Sequence, residues 1–230
     1  MAAKLAGKFI VFDGPDGCGK TRQRQLLADS LQSLGARVVQ TRDPGGTEIG
    51  DRIREVLLRF DLSTMDVRCE TLLFMASRAQ LVAEVIDPAL ADGAIVLGDR
   101  FISSTYAYQG AAGYDNTRLL ELANLAVGDT WPDLTLILDV PVEVGFERTG
   151  RKPHHVGVNR TNNVQNQGEL FVDASVDAME ARPLEFHRRV REIFCSLPGM
   201  YPKPVHVIDG LGDLQDVHQR VLELIERVDL

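Results

Sequence analysis

Residues 14–21 have the composition and spacing of a phosphate-binding loop. Their sequence, GPDGCGKT, matches the pattern G-x-x-x-x-G-K-[ST], with an apolar strand pattern before it and a helical pattern after it. Glycines let consecutive backbone N–H groups point at a phosphate, and the helix N-terminus adds positive potential. We expect Lys20 to reach the β- and γ-phosphates and the Thr21 hydroxyl to bind Mg²⁺. The predicted ATP-binding residues are Gly14, Pro15, Asp16, Gly17, Cys18, Gly19, Lys20 and Thr21.

Two further segments could bind an acceptor molecule. Residues 41–54, TRDPGGTEIGDRIR, combine glycines and arginines after a predicted strand, which suits an anion pocket or a simple polar turn. Phe74 and Arg78 are four residues apart in a helical stretch and share a face. On one helix face, the Phe74 ring could stack on a nucleotide base while the Arg78 guanidinium donates two hydrogen bonds to the edge of that base. The alternative is a core phenylalanine and a solvent-exposed arginine.

A third segment, residues 97–110, carries an acidic and a basic residue at a strand end. Asp99 could hold Mg²⁺ or its waters there, and Arg100 could bridge the donor and acceptor phosphates. The helix that follows, with sequence FISSTYAYQG, offers hydroxyl, aromatic and amide groups that could contact a base and a sugar. An ordinary polar helix after a strand is the alternative.

The strands and helices that could position these candidate residues are predicted to alternate along the chain. Apolar runs predict strands near residues 8–12, 37–41, 94–98, 134–139 and 205–208. Helical patterns lie near residues 20–34, 47–59, 66–91, 101–109, 116–127, 141–148, 177–195 and 213–227, the last with Asp213 as a plausible N-cap. Continuous apolar strands between helices predict a five-stranded parallel sheet covered on both faces.

Composition excludes several classes of function. The 230 residues carry 25 Lys+Arg and 33 Asp+Glu, a net charge of −8, which argues against broad nucleic-acid binding. No apolar run approaches the length of a membrane helix, and no secretory signal is visible, so we expect a cytoplasmic protein. Three scattered cysteines predict neither a disulfide framework nor a zinc site. Residues 149–175 are rich in Asn and Gln, and we interpret them as an excursion from a single domain spanning 1–230.

Taken together, these motifs resemble the bacterial-type thymidylate kinase family. The matching segments are FDGPDGCGKT, TRDPGGTEIGDRIR, LLFMASRAQLV, PALADGAIVLGDRFISSTYAYQG and DLTLILDVPVEVGFER. The resemblance implies the nucleoside-monophosphate-kinase fold, a five-stranded parallel sheet wrapped by helices with a mobile lid at 149–175. It also implies Mg²⁺-dependent transfer of phosphate from ATP to dTMP, giving dTDP for dTTP synthesis, by a homodimer.

The resemblance also assigns roles to acceptor-side residues. Phe74 would stack on thymine, and Arg78 would donate to its O4. Tyr108 would lie under the sugar, where a 2′-hydroxyl would clash, and Asp16 would meet the 3′-hydroxyl. The remaining assignments are Thr105 and Gln109 at the base edge, Arg54 and Arg100 on the acceptor phosphate, and Arg42 and Asp43 around it.

The lid departs from the family pattern. Family lids are dense in arginine, whereas this one has Ala178 where an arginine is expected. We expect Arg148 and Arg151 to take the catalytic lid role beside Lys20, Asp99 and Arg100, with Arg160 next. Two alternatives stay open: a relative that uses another nucleotide acceptor, and a nucleotide-binding regulatory protein with impaired catalysis.

Overall fold

A computed structural model describes residues 1–59, 65–150 and 182–230, in which five parallel strands form one sheet of order β2-β3-β1-β4-β5. The strands are β1 Phe9–Asp13, β2 Val38–Arg42, β3 Ile95–Asp99, β4 Leu134–Asp139 and β5 Val205–Asp209. In register, Phe12 pairs with Asp99, and Asp99 pairs with Arg42. The carboxyl ends of β1, β2 and β3 therefore meet at one edge, where open α/β sheets bind ligands.

Helices cover both faces of this sheet. They are α1 Ala2–Leu5, α2 Lys20–Ser33, α3 Glu48–Arg59, α4 Val67–Leu81, α5 Asp87–Ala91, α6 Ile102–Ala111, α7 Asn116–Val127, α8 Val142–Arg148, α9 Leu184–Ser196 and α10 Leu214–Arg227. A π-helical turn, Val82–Ile86, joins α4 to α5, and a 3₁₀ turn, Leu197–Gly199, follows α9. No helix in the described ranges is both long and apolar enough to cross a membrane.

The core has two layers, one on each side of the sheet. Alternate residues of β1 contribute to opposite layers: Phe9 and Val11 pack with α4, α6, α7 and α9, while Ile10 and Phe12 pack with α2 and α10. Every residue of β1 is buried because the central strand is covered on both faces. This burial fixes the position of the loop that follows β1.

The predicted fold class is confirmed, and so are the five strands, each within a residue or so of its predicted bounds. The Asp213 side chain caps α10 by accepting from the N–H groups of Gln215 and Asp216. Helix α1 is too short to show a periodic pattern in the sequence and was not predicted. The stretch predicted as one helix at 66–91 contains the π-helical turn. Residues 151–181, which hold most of the predicted lid, lie outside the described residues, as does the start of the helix predicted at 177–195.

Candidate active site

The segment after β1 turns sharply and leads directly into α2. Gly14, Gly17 and Gly19 all have positive φ angles, of 134°, 73° and 93°. A β-carbon at Gly14 would collide with the carbonyl oxygen of Leu138 on β4, so both the angle and the space there require glycine. Helix α2 begins at Lys20. The loop thus presents its backbone and the first turn of α2 in the arrangement expected for phosphate binding.

Helix α8 packs directly on this loop through two glycines. A β-carbon on Gly17 would overlap the backbone of Gly145, and one on Gly145 would overlap the carbonyl oxygen of Asp16. Backbone therefore lies against backbone, which holds the loop in place from the β4 side.

We expect Gly145→Ala to disturb the loop. The added methyl group has no room, so the loop must shift, at a cost of about 1–3 kcal/mol of stability, and the Michaelis constant for ATP should rise about tenfold. Gly199→Ala is the matched control, because a β-carbon there meets nothing within 4 Å. Thermal unfolding and steady-state kinetics measure both effects; equal behaviour of the two variants would contradict this packing argument.

Cys18 lies within the loop as a buried thiol. It is 2% exposed, and burial raises its pKa despite the lowering effect of nearby Lys20. A raised pKa disfavours the reactive thiolate. These observations indicate that Cys18 fills space in the loop and is not a reactive group.

Thr21 and Asp99 meet at the shared edge of the sheet. The Thr21 hydroxyl donates to Asp99 Oδ2 at 2.6 Å. Hydroxyl and carboxylate oxygens are hard ligands, and Mg²⁺ characteristically takes only one or two protein oxygens and completes its shell with water and phosphate. This pair therefore fits Mg²⁺ beside the loop. Within the described residues, no group of three or more His, Cys, Asp and Glu side chains is arranged so that it could hold a metal ion by itself.

Arg100, directly after β3, has a left-handed backbone with a φ of 67°, the only non-glycine residue with a positive φ in the described ranges. Such a conformation is strained for arginine and is kept only when the surroundings enforce it. Its N–H donates to the Phe12 carbonyl at 3.0 Å, which ties the turn to β1. The guanidinium contacts two carboxylates, donating to Asp16 Oδ1 at 2.5 Å and to Asp13 Oδ1 at 3.3 Å.

The charge of Arg100 is strongly stabilised. Burial by itself opposes the charged form, but Tyr108, Asp16 and Asp13 together raise the pKa of Arg100 well above the usual range. The guanidinium also lies 5.1 Å from the centre of the Tyr108 ring. A permanently charged fork is thus held between the loop and helix α6.

Asp13, at the end of β1, anchors this arrangement and was missed by the sequence analysis. It is fully buried and accepts from the hydroxyls of Ser103 and Ser104, at 2.6 and 2.8 Å, and from the Gly14 N–H at 2.9 Å. The available signal was an acidic residue closing the apolar run FIVFD, as Asp99 closes β3.

A cavity opens next to the loop and encloses about 530 Å³ of space, including its mouth to solvent. The predicted residues among those that line it are Asp16, Asp43, Arg54, Phe74, Arg78, Arg100, Tyr108 and Gln109. Pro44, Leu58 and Ser104 also line it and were not predicted.

Phe74 and Arg78 both point from α4 into this region. Arg78 is 1% exposed, so the alternative that placed it in solvent is wrong. Its guanidinium pairs with Asp43 at 2.6 Å and donates to the Phe101 carbonyl at 3.2 Å. Burial raises the pKa of Asp43, and Arg78 acts in the opposite direction. Asp43 therefore holds Arg78 in place at the cavity wall.

Gln109 and Thr105 differ in their positions on α6. Gln109 lines the cavity and donates through Nε2 to Glu70 Oε1 at 2.7 Å. Thr105 is buried, its hydroxyl has no hydrogen-bond partner in the described part of the chain, and it is not among the described residues lining the cavity.

Tyr108 and Asp16 meet at the cavity, where the Tyr108 hydroxyl donates to Asp16 Oδ1 at 3.0 Å. His187 of α9, which was not predicted, places Nδ1 3.9 Å from Asp16 Oδ2. The loop residue Asp16 is thus contacted from α6 and α9 as well as by Arg100.

The predicted arginines are only partly brought together. Arg54 lines the cavity and donates to the Pro44 carbonyl at 2.9 Å. Arg42 is exposed, donates to Asp51 at 3.0 Å, and is not among the described lining residues. Arg148 donates to the Gly210 carbonyl at 3.4 Å, beyond β5. Arg151 and Arg160 lie outside the described residues.

Comparison with known proteins gives consistent matches. A family model described as "Thymidylate kinase" matches residues 12–221. The thymidylate kinase of Geobacter sulfurreducens is 47% identical over 220 residues, covering 95% of this chain and 96% of that protein. That of Roseiflexus castenholzii is 40% identical over 219 residues, covering 95% and 92%. The crystal structure of thymidylate kinase from Ehrlichia chaffeensis matches with a TM-score of 0.71 and 31% identity, covering 96% of this chain and 99% of that one.

Proposed function

The chain belongs to the thymidylate kinase family, and from that premise we propose that it transfers the γ-phosphoryl group of ATP to dTMP, giving ADP and dTDP. One observation carries the proposal: the phosphate loop and the acceptor cavity share Asp16, and Arg100 joins them. Asp16 belongs to the loop and lines the cavity, and Arg100 lines the cavity while contacting Asp16. A donor phosphate on the loop and an acceptor phosphate in the cavity would therefore lie side by side.

Phosphoryl transfer requires alignment of two anions and stabilisation of spread-out charge, with little covalent chemistry from the protein. We assign Lys20 to the β- and γ-phosphates and the backbone of residues 14–19 to the phosphate cradle. Arg100 would hold the acceptor phosphate, and Arg54, which also lines the cavity, would contact it as well. Asp13 and Asp16 fix the orientation of Arg100 before substrate binds.

On the acceptor side, we propose that Phe74 stacks on the pyrimidine and Arg78 donates to its O4. Tyr108 and Asp16 would face the sugar, and Gln109 the base edge. The inclusion of Arg42, Asp43 and Thr105 among the dTMP-binding residues stays a prediction, with Asp43 acting through Arg78. Arg148 and Arg151 as catalytic lid residues, the lid at 149–175 and the single-domain organisation also stay predictions.

We propose that Thr21 and Asp99 hold Mg²⁺ when ATP is bound. The ion would supply positive charge that neutralises the phosphates during transfer. Their contact of 2.6 Å at the end of β3 supports this assignment.

Asp99→Asn should weaken the metal site and spare the fold. The amide keeps one oxygen toward Thr21 but loses the charge, so the Mg²⁺ concentration that gives half-maximal activity should rise about tenfold. Asp92→Asn is the matched control because Asp92 is exposed and pairs with Arg37 at the surface, 3.0 Å away. An unchanged Mg²⁺ requirement in Asp99→Asn would contradict the assignment.

The function is tested by measuring ADP release with ATP·Mg²⁺ and dTMP, dUMP, dCMP or UMP. We expect strong turnover with dTMP and weaker turnover with dUMP. Preference for a different monophosphate would favour a relative with another acceptor. Binding of ATP and dTMP without turnover would overturn the proposal in favour of the regulatory alternative.

A homodimer is part of the same proposal. Ile49 and Val56, seven residues apart on α3, and Leu72 on α4 are apolar and exposed by 54%, 38% and 54%. Such positions suit a helical contact between two copies. Light scattering coupled to size exclusion would test it, and a monomer at micromolar concentration would contradict it. A cytoplasmic location stays a prediction from the sequence.

A further inference from the structure

A buried carboxylate lies behind the cavity wall, where none of the proposed roles uses it. Glu70, in the first turn of α4, is 2% exposed. Its Oε1 accepts from Gln109 Nε2 at 2.7 Å, and its Oε2 accepts from Arg182, just before α9. The guanidinium of Arg182 balances the charge of Glu70, as a buried carboxylate requires.

This arrangement determines which end of the Gln109 amide faces Glu70. A carboxylate paired with a guanidinium has only acceptor atoms, so the Gln109 amide must turn its NH₂ group toward Glu70. The opposite orientation would place the amide oxygen against a carboxylate oxygen with no proton between them. The amide oxygen, Oε1, is then left as the atom with which Gln109 can meet a ligand in the cavity.

The orientation of the Gln109 amide affects which base can bind, because pyrimidine bases differ in the hydrogen-bonding character of N3. Thymine and uracil carry an N3–H donor, whereas N3 of cytosine is an acceptor. A fixed Oε1 accepts from the first two and repels the third.

We propose that Glu70 is a specificity-determining positioning residue, which selects N3–H pyrimidines by fixing the amide of Gln109. This inference rests on the proposed function, because it takes Gln109 as a residue at the base edge. The positive charge of Arg182 favours the ionised form of Glu70, in which both carboxylate oxygens are hydrogen-bond acceptors. Its guanidinium is itself fixed by lying 4.6 Å from the centre of the Phe186 ring.

Glu70→Gln gives the sharpest test. The single oxygen of the introduced amide would be taken by Arg182, so its NH₂ group would face Gln109 and invert the amide of that residue. The ratio of kcat/KM for dTMP over dCMP should then fall about tenfold or more, through the KM of the acceptor, with the KM for ATP unchanged. Glu121→Gln, exposed on α7, is the charge-matched control and should leave the ratio unchanged.

Two further variants separate positioning from general damage. In a Gln109→Leu background, Glu70→Gln should alter the ratio less than about twofold, because no amide remains to be inverted. If Glu70→Gln fails to fold, Glu70→Gln with Arg182→Gln removes both charges together and carries the test. In this double variant no guanidinium fixes the amide introduced at position 70, so it can turn either end toward Gln109. The ratio of kcat/KM for dTMP over dCMP should therefore still fall, though less than in Glu70→Gln alone.

The inference is overturned if the folded Glu70 variants lower kcat/KM for dTMP and dCMP by the same factor, or if they keep the wild-type ratio. It is also overturned if Glu70→Gln shifts the ratio equally with and without Gln109. Failure of the wild-type protein to use dTMP at all would instead overturn the proposed function. The two failures are therefore distinguishable in one set of assays.

Discussion

Lys20→Ala is expected to reduce kcat/KM with dTMP by at least about 10³-fold. Lys20 is the first residue of α2, directly after the loop glycines, and its ammonium is the positive side chain that the loop itself supplies to the β- and γ-phosphates. Alanine leaves the glycine backbone and the helix N-terminus intact. ATP should still bind, more weakly, while the charge that develops during transfer loses its partner.

The measurement is ADP release with saturating dTMP, together with calorimetric binding of dTMP alone. Acceptor binding should be unchanged, because Lys20 is not among the described residues that line the acceptor cavity. Lys203→Ala, exposed before β5, is the matched control and should retain wild-type rates. Turnover by Lys20→Ala within about tenfold of wild type would contradict the assignment of the loop.

The strands and the phosphate loop could be predicted because their signals are local. The run KFIVFD followed by a glycine loop contains, within residues 8–21, everything needed to place β1, the turn and α2. Asp213 is a similar case, since an N-cap is read from its own helix. Local pattern and tertiary structure agree at these positions.

The buried ion pairs and hydrogen bonds that hold the site residues in place could not be predicted, because the residues that form them are far apart in the sequence. Glu70 meets Arg182, 112 residues away, and Asp13 meets Ser103, 90 residues away. Nothing near either residue in sequence indicates its partner, and only the register of the parallel strands brings β1 beside β3. The burial of Arg78 was missed for the same reason. Its spacing from Phe74 indicated its helix face, but its burial depends on the direct ion pair with Asp43, which is 35 residues away in the sequence.

Arg100→Ala should lower both activity and stability, for one shared reason. The guanidinium neutralises Asp13, which is fully buried, and Asp16, which lines the cavity. Without it, Asp13 keeps its bonds to Ser103, Ser104 and the Gly14 N–H but loses its counter-charge. We expect a loss of about 2–4 kcal/mol in the free energy of unfolding, since removal of one partner of a buried pair leaves the other uncompensated. The positive φ at residue 100 is not relieved by alanine, so no gain offsets this loss.

Arg100→Lys separates the two effects. Lysine keeps the charge, and stability should therefore recover in large part, but one ammonium cannot replace a planar fork that reaches Asp13, Asp16 and the acceptor phosphate together. We expect kcat/KM for dTMP to stay about 10²-fold below wild type. Arg37→Ala, whose partner Asp92 is also exposed, is the control and should change stability by less than about 0.5 kcal/mol. Chemical denaturation and ADP release measure both quantities. Wild-type kinetics in Arg100→Lys would show that charge alone suffices, and the bridging geometry assigned to Arg100 would then be wrong.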